Sequence, residues 1–323
     1  MESKMTAEMK KNLWRHVRPW ISGYLPMLTL ACIGLIVVVS FLSPGFFSLD
    51  NVKDILLGTA VIGIISFGMT MVLISGDIDL SVGSVVAFSS VVLCVSLNAD
   101  LGLPVALLLT AAGAIAVGLV NGFFVSVLQI NSFIITLGTM SVVRGLGYII
   151  LDGTSEPFRH PVVRFIGSGA LWGVPVPICF MVAVLVILWF VLKYTQFGRN
   201  VYAIGNNRET ARLSGISVVK TKLLVFGIMG LLAGVAGFLL AAQTRTGSST
   251  AGQGYELDAL TAVILGGTSL KGGQGRLAGT ALGTFFVAVL LTGQNMLDVN
   301  YEHQLVSKGI IILIAMALAR IRT

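Results

Sequence analysis

Long apolar runs separated by short polar segments dominate the chain. A helix needs about 20 predominantly apolar residues to cross a hydrocarbon core of roughly 30 Å. The pattern therefore predicts an all-α polytopic membrane protein with about ten transmembrane helices, of which the third, sixth and eighth are short. The predicted spans are 21–42, 54–75, 82–97, 104–128, 132–151, 177–192, 223–243, 256–270, 277–295 and 304–319.

Composition supports this class. Of the 323 residues, 55% are hydrophobic and only 11% are charged, against roughly 25% charged residues in soluble domains. The 38 glycines fit membrane helices that approach each other closely. The first apolar run follows a basic segment, as in a signal peptide, but it is too long for a cleaved hydrophobic region of about 7–15 residues.

The basic residues indicate the orientation, because short cytoplasmic loops collect Lys and Arg. With the N-terminus inside, 15 of the 21 Lys and Arg fall on the cytoplasmic side and four fall outside. We therefore expect both termini in the cytoplasm. The domain prediction is a cytoplasmic basic segment at 1–20 and a single transmembrane domain at 21–323, with a cytoplasmic loop at about 193–222. Because the charges form no dense patch beside aromatic residues, a nucleic-acid partner is not expected.

Catalytic and metal chemistry have little support. The three cysteines lie in or beside apolar stretches and are odd in number, so we interpret them as buried small hydrophobes without a disulfide. The three histidines lie far apart without ligand spacing, so no metal site is expected. No nucleophile accompanies a base, so we predict no catalytic residues.

Two carboxylates, Asp77 and Asp79, lie between the second and third predicted spans. Charged groups near membrane depth are costly and often functional. Alternatively, Asp79 and Ser81 cap the third helix while Gly76 and Gly83 permit a tight turn. The sequence favours neither interpretation.

Further polar side chains lie within or at the ends of spans, and each is individually more often satisfied by a neighbouring helix. Together with the acidic segment they are candidates for a polar substrate pathway. The candidates are Asp77, Asp79, Ser81, Asn121, Thr136, Thr139, Gln243, Gln294 and Asn295.

The long basic loop contains signals for one short helix. Asn207 is a good N-cap, Glu209 falls in the first turn, and Gly215 suits the left-handed residue that ends a helix. Since a helix of two turns is only marginally stable alone, we favour docking against a partner. The alternative is a solvated loop whose six basic residues reflect topology alone.

A glycine-rich stretch at 247–279 invites comparison with a phosphate-binding loop, but the pattern G-x-x-x-x-G-K-[ST] is absent from the chain. ATP hydrolysis by that device is therefore excluded. Glycine-rich breaks beside apolar helices indicate close packing or a helix interrupted near a translocation path. We favour packing over direct substrate contact.

These stretches carry a resemblance to a known family. The chain resembles the permease subunits of ribose-, xylose- and arabinose-type ATP-binding-cassette importers, a group that includes autoinducer-2 and galactose permeases, over nearly its whole length. The matching segments are 43–47 (SPGFF), 76–83 (GDIDLSVG), 202–205 (YAIG), 211–216 (ARLSGI), 254–258 (GYELD) and 265–273 (LGGTSLKGG).

The resemblance implies a multi-pass subunit of a bacterial inner membrane that translocates a small sugar, such as a pentose, delivered by a periplasmic sugar-binding protein. It implies a second permease, identical or not, and a cytoplasmic ATPase that binds ATP and Mg²⁺, leaving this chain without a cofactor. Asn206 and Thr210 depart from the family's usual glycine and alanine. The residues implied to couple to the ATPase are Gly205, Asn207, Arg208, Glu209, Ala211, Arg212, Leu213 and Gly215.

Two alternatives stay open at this stage. One is a secondary transporter coupled to an ion gradient, with Asp77, Asp79, Glu256 or Asp258 as the coupling carboxylate. The other lies within the same importer class and carries autoinducer-2 or a branched-chain amino acid.

Overall fold

The structure is a computed structural model that describes residues 24–321. The predicted N-terminal segment 1–20 lies outside the described residues. The helices are α1 Tyr24–Leu42, α2 Leu49–Ile74, α3 Val82–Asn98, α4 Leu103–Ser126, α5 Ser132–Ile150, α6 Pro161–Ser168, α7 Val176–Tyr194, α8 Gln196–Asn206, α9 Arg208–Leu213, α10 Val218–Thr244, α11 Tyr255–Leu265, α12 Leu277–Met296 and α13 Tyr301–Ile321. The strands are β1 Ser155–Pro157, β2 Ala170–Leu171, β3 Val174–Pro175 and β4 Thr246–Ser248.

The helical polytopic architecture is confirmed. Within the described residues, seven helices are long and apolar enough to cross a membrane, and α3 is a shorter apolar helix. Two small antiparallel ribbons, β1 with β4 and β2 with β3, add a little sheet. The count of about ten spans stays a prediction.

The predicted span 256–270 differs most from the structure. Its helix, α11, has 11 residues and ends at Leu265. At 1.5 Å per residue that is about 16 Å, roughly half of the hydrocarbon core. The chain stops being helical at Gly266 and Gly267, where Gly267 adopts a left-handed conformation (φ +84°).

Helices α2, α3 and α10 form the centre of the bundle. In α2, 83% of the most apolar window is buried, against 17% to 22% in α1, α4, α5 and α7. Small residues let α4 and α10 touch. A Cβ at Gly118 would collide with the carbonyl oxygen of Phe226, and one at Gly230 with that of Ala114. This is the close packing expected of glycine in membrane helices.

The connections separate into two ends. At one end, which we call the basic end, lie 75–81, 127–131, 195–217 and 266–276. The Ile78 N–H donates to Ser132 Oγ (3.2 Å), and the Tyr202 hydroxyl donates to the Gly275 carbonyl (2.9 Å). The β1–β4 ribbon marks the opposite end, which we call the ribbon end. This alternation agrees with the predicted loops, while the cytoplasmic location of the basic end stays a prediction.

Candidate functional site

Helix α9 is a short helix capped at both ends. At its start, the Asn207 side chain accepts a hydrogen bond from the Thr210 N–H (2.9 Å). At its end, Gly215 (φ +81°) donates to the Arg212 carbonyl (3.0 Å) and Ile216 donates to the Ala211 carbonyl (3.1 Å). This is a Schellman motif, which satisfies the last carbonyls of the helix. The predicted caps are confirmed.

The outer face of α9 is open to solvent. Ala211 alone is buried in this helix, and it packs with Ile204 and Val218 in a small apolar cluster that fastens the helix to its neighbours. Leu213 is 76% exposed. The loop therefore presents a fixed, accessible surface rather than a solvated, unstructured chain segment.

Two charged side chains on that surface pair with each other. Arg212 Nη2 donates to Glu209 Oε1 (2.6 Å), and both groups are exposed. The hydrogen bond from Arg212 lowers the pKa of the Glu209 carboxyl below its ordinary value. Glu209 therefore stays ionised at neutral pH, beside the N-terminus of α9 where a negative charge is favoured.

Behind α9, four glycines bring three separate parts of the chain together at the basic end. We call Gly76, Gly205, Gly272 and Gly273 the glycine junction. A Cβ at Gly205 would collide with the Ile74 carbonyl oxygen, which accepts a hydrogen bond from the Gly273 N–H (2.9 Å). A Cβ at Gly272 would lie 2.8 Å from the Gly205 carbonyl oxygen and 2.9 Å from Gly76 Cα.

The backbone conformation at the glycine junction also requires glycine. Gly76, Gly272 and Gly273 have φ of +82°, +85° and +73°, a region that side chains with a Cβ rarely adopt. The end of α8 is thus held directly against the end of α2. A displacement of α8 and α9 would be transmitted to α2 through backbone contacts.

The turn 75–81 is fixed by buried polar contacts. Asp77 forms an ion pair with Lys222 of α10 (2.7 Å), and both side chains are at most 7% exposed. Asp79 Oδ1 accepts hydrogen bonds from the Ser81 N–H (2.9 Å) and hydroxyl (2.6 Å), and Asn121 Nδ2 of α4 donates to Ser81 Oγ (2.9 Å). The turn therefore ties α2, α4 and α10 together.

These contacts correct three expectations. The Ser81 side chain does not cap α3, because its hydroxyl bonds to Asp79 and accepts from Asn121 instead. Gly76 forms the predicted turn, but Gly83 lies inside α3 and allows close approach of Glu256. Lys222, counted among the basic residues of the cytoplasmic loop, is buried as the partner of Asp77.

Comparison with known proteins decides the family. A family model described as the permease component of the branched-chain amino acid transport system matches residues 51–316. The chain belongs to this permease family. The ribose import permease RbsC of Bacillus subtilis (strain 168) is 41% identical over 289 residues, covering 88% of this chain and 89% of that protein.

Further relatives have similar coverage. The ribose import permease RbsC of Escherichia coli (strain K12) is 39% identical over 290 residues, covering 88% of this chain and 90% of that protein. The L-arabinose transport system permease AraH of the same strain is 37% identical over 286 residues, covering 88% of this chain and 87% of that protein. No solved structure matches the chain.

The pathway candidates of the permease do not form one cluster. Thr136 joins the turn, since its hydroxyl lies 3.4 Å from the Ile78 carbonyl while donating to the Ser132 carbonyl (2.8 Å). Thr139 is half-buried on α5, and Gln243 lies near the ribbon end of α10. At the far end of α12, Gln294 donates to Ser307 (2.6 Å) and Asn295 accepts from Gln304 (2.8 Å). Their roles stay predictions.

Three cations of the permease are partners that the sequence analysis did not assign. Lys222 pairs with Asp77, and Lys308 of α13 pairs with the buried Asp258 of α11 (2.8 Å). Arg144 of α5 donates to the carbonyls of Ser249 (3.3 Å) and Ala251 (3.2 Å). A signal was available, because a cation inside a span requires an anion or carbonyl groups nearby. The sequence did not show which anion or carbonyl groups those are.

Proposed function

We propose that this permease is the membrane-spanning subunit of an ATP-binding-cassette importer of a small neutral sugar. Its substrate would belong to the same class as those of the ribose and arabinose permeases that it resembles. The observation that carries the proposal is the capped, exposed helix α9 held by the glycine junction against the end of α2. A surface of this kind suits a cytoplasmic motor protein that moves the bundle from outside the membrane.

The proposed assembly contains a second permease, identical or not, a cytoplasmic ATPase that holds ATP and Mg²⁺, and a periplasmic sugar-binding protein. The chain itself has no catalytic site and no cofactor in this proposal. It lies in the bacterial plasma membrane with the basic end and both termini in the cytoplasm. The excess of basic residues on that side supports this orientation.

The proposed mechanism is a shift between two arrangements of the bundle. Closure of the ATPases on ATP displaces α9, and the glycine junction transmits the displacement to α2. The Asp77–Lys222 pair couples the same turn to α10, so two central helices move together. The bundle then opens alternately toward the binding protein and toward the cytoplasm.

The decisive experiment reconstitutes the permease with its ATPase in vesicles and adds binding protein loaded with different ligands. We expect a pentose or another monosaccharide to accelerate ATP turnover and to enter the vesicles. Acceleration by branched-chain amino acids instead would overturn the sugar assignment. Uptake by the permease alone, driven by an ion gradient, would overturn the importer class.

A second experiment tests α9 itself. Glu209→Lys places a cation beside the helix N-terminus and breaks the pair with Arg212, so we expect ATP hydrolysis without uptake while membrane insertion is retained. Glu156→Lys makes the same charge reversal on an exposed residue at the ribbon end and should leave the coupling ratio unchanged. Wild-type coupling in Glu209→Lys would remove α9 from the mechanism.

A further inference from the structure

Between α10 and α11 the chain runs along α3 inside the bundle without forming an α-helix. Residues 245–254 leave the ribbon end and follow α3 toward the basic end. Gly247 packs on Cys94 and on the Ser90 carbonyl oxygen, Gly252 packs on Val86, and the Glu256 carboxylate reaches Gly83. We call residues 246–254, which are strand β4 followed by consecutive turns, the extended segment.

The extended segment ends inside the bundle, between the basic end and the middle of the helices that it follows. Helix α11 begins at Tyr255 and runs 11 residues to Leu265 at the basic end, which places its start about 16 Å from that end. Arg144, which holds the segment, lies about 18 Å along α5 from Ser132. These lengths are at most about half of a hydrocarbon core of roughly 30 Å, and the contact of Gly252 with Gly83, the second residue of α3, places the end of the segment on the basic side of the middle.

Side chains on this segment are exposed at a depth where lipid would be unfavourable. Thr250 and Gln253 are exposed, yet transferring an amide or hydroxyl to hydrocarbon without a hydrogen bond is costly. Non-helical backbone at membrane depth is tolerated only where it is buried in protein or lines a water-filled cavity. The exposed side of the segment therefore faces water or protein rather than lipid tails.

Beside these residues, polar groups lack partners. Among the described residues, Glu256 Oε2 and Ser249 Oγ are buried and accept or donate no hydrogen bond. Arg144 uses Nη1 for the two carbonyls of the segment, and a guanidinium carries five N–H donors in all. Donors and acceptors are thus available together.

We propose that the extended segment lines the aqueous pathway within the membrane, and that Gln253 and Thr250 bind the hydroxyl groups of the passing sugar. The exposed side chains of the segment, Thr250 and Gln253, are uncharged, so the site suits a neutral polyol rather than an ion. The sugar contact rests on the proposed function, whereas the aqueous exposure of the segment does not.

The exposure is tested by thiol labelling of the assembled importer in proteoliposomes. Gln253→Cys and Thr250→Cys are made in a chain whose three native cysteines are replaced by serine. A charged, water-soluble methanethiosulfonate is added in the resting state and after trapping with ATP and vanadate. A thiol in water ionises and reacts, while one in an apolar environment stays protonated and is inert.

A matched control carries the cysteine on a lipid-facing helix at similar depth. Ile187 lies near the middle of α7 and is 60% exposed, so Ile187→Cys should stay unreactive. We expect Gln253→Cys to react roughly tenfold faster or more in at least one state. Reactivity as low as that of Ile187→Cys in both states would overturn the proposal, as would an oxidative Gln253→Cys cross-link between two permeases with no labelling, which would indicate a dry contact.

Sugar contact is tested separately by uptake. Gln253→Leu removes the amide, and we expect roughly fivefold slower sugar uptake, because the hydroxyl that it bound loses a hydrogen bond of about 1 kcal/mol. Gln253→Asn keeps the amide and should retain most uptake. Equal uptake by Gln253→Leu and wild type would exclude sugar contact. If the wild-type complex imports no sugar, the proposed function fails while the labelling result still stands.

Discussion

The glycine junction and the extended segment are both breaks in a helical bundle, and they treat polar groups in opposite ways. At the junction, the Ile74 carbonyl is bonded to Gly273 and Asp77 is paired with Lys222. In and beside the extended segment, Ser249 and Glu256 keep polar atoms without a partner among the described residues. These groups of the first break are paired and those of the second are not, although Asn121 Oδ1 and Thr268 Oγ1 at the basic end also lack a partner among the described residues.

The difference corresponds to two tasks. A region that transmits force benefits from contacts that have one arrangement, such as backbone against backbone at glycine. A region that passes a hydrated molecule needs donors and acceptors that can exchange between water and ligand, at the cost of some stability. Substitutions on each side of this comparison separate stability from transport.

The largest effect is expected from Asp77→Asn. It leaves the Lys222 ammonium buried without a counter-ion, and removing one member of a buried pair costs about 3–5 kcal/mol. We expect a much lower thermal unfolding temperature of the purified permease in detergent. Asp100→Asn removes an exposed carboxylate and should not change it. An unfolding temperature equal to wild type in Asp77→Asn would show that the junction is not closed by this pair.

Arg144→Met should have the next largest effect. It removes Arg144 Nη1, whose hydrogen bonds to the Ser249 and Ala251 carbonyls are both long (3.3 and 3.2 Å), so we expect a loss of about 1.5–3 kcal/mol, as for a single hydrogen bond to a charged group. We expect lower stability together with loss of sugar uptake. Arg199→Met, on the exposed surface of α8, serves as the control. Normal uptake by Arg144→Met would mean that the extended segment holds its shape without α5.

The sequence predicted the outer parts of the coupling region well. The caps of α9 follow from local chemistry at Asn207 and Gly215, which involves only residues a few positions apart. The spans were likewise visible as apolar runs, with ends within a few residues of most helices. Local rules of capping and hydropathy were therefore sufficient to predict the exposed helix and the helical bundle.

Contacts between distant residues were beyond such rules. Nothing near Asp77 in the sequence identifies Lys222, and nothing near Ser249 identifies Arg144. The extended segment was hidden for a related reason. Its glycines and small residues resemble any connection, and only their packing along α3 shows that the connection enters the helical bundle.

Gly205→Ala tests the rigidity of the glycine junction. The added methyl group would collide with the Ile74 carbonyl oxygen, and overpacking typically costs about 1–3 kcal/mol. We expect less uptake per ATP hydrolysed. Gly138→Ala adds the same methyl group to α5, where nothing lies within 4 Å, and should be neutral. Unchanged coupling in Gly205→Ala would show that α8 and α2 move independently.

The smallest effect is expected from Asn207→Ala, which removes the N-cap of α9. Loss of such a cap costs about 1 kcal/mol, and it should loosen only the six residues Arg208–Leu213. Faster amide hydrogen exchange at Thr210, which loses its acceptor, checks this. Asn207→Asp keeps the acceptor and should preserve protection. If α9 moves as a rigid helix, Asn207→Ala weakens coupling without changing the thiol labelling of Gln253→Cys. The glycine junction and the extended segment would then respond separately. A simultaneous change at both would mean that they form one mechanical unit.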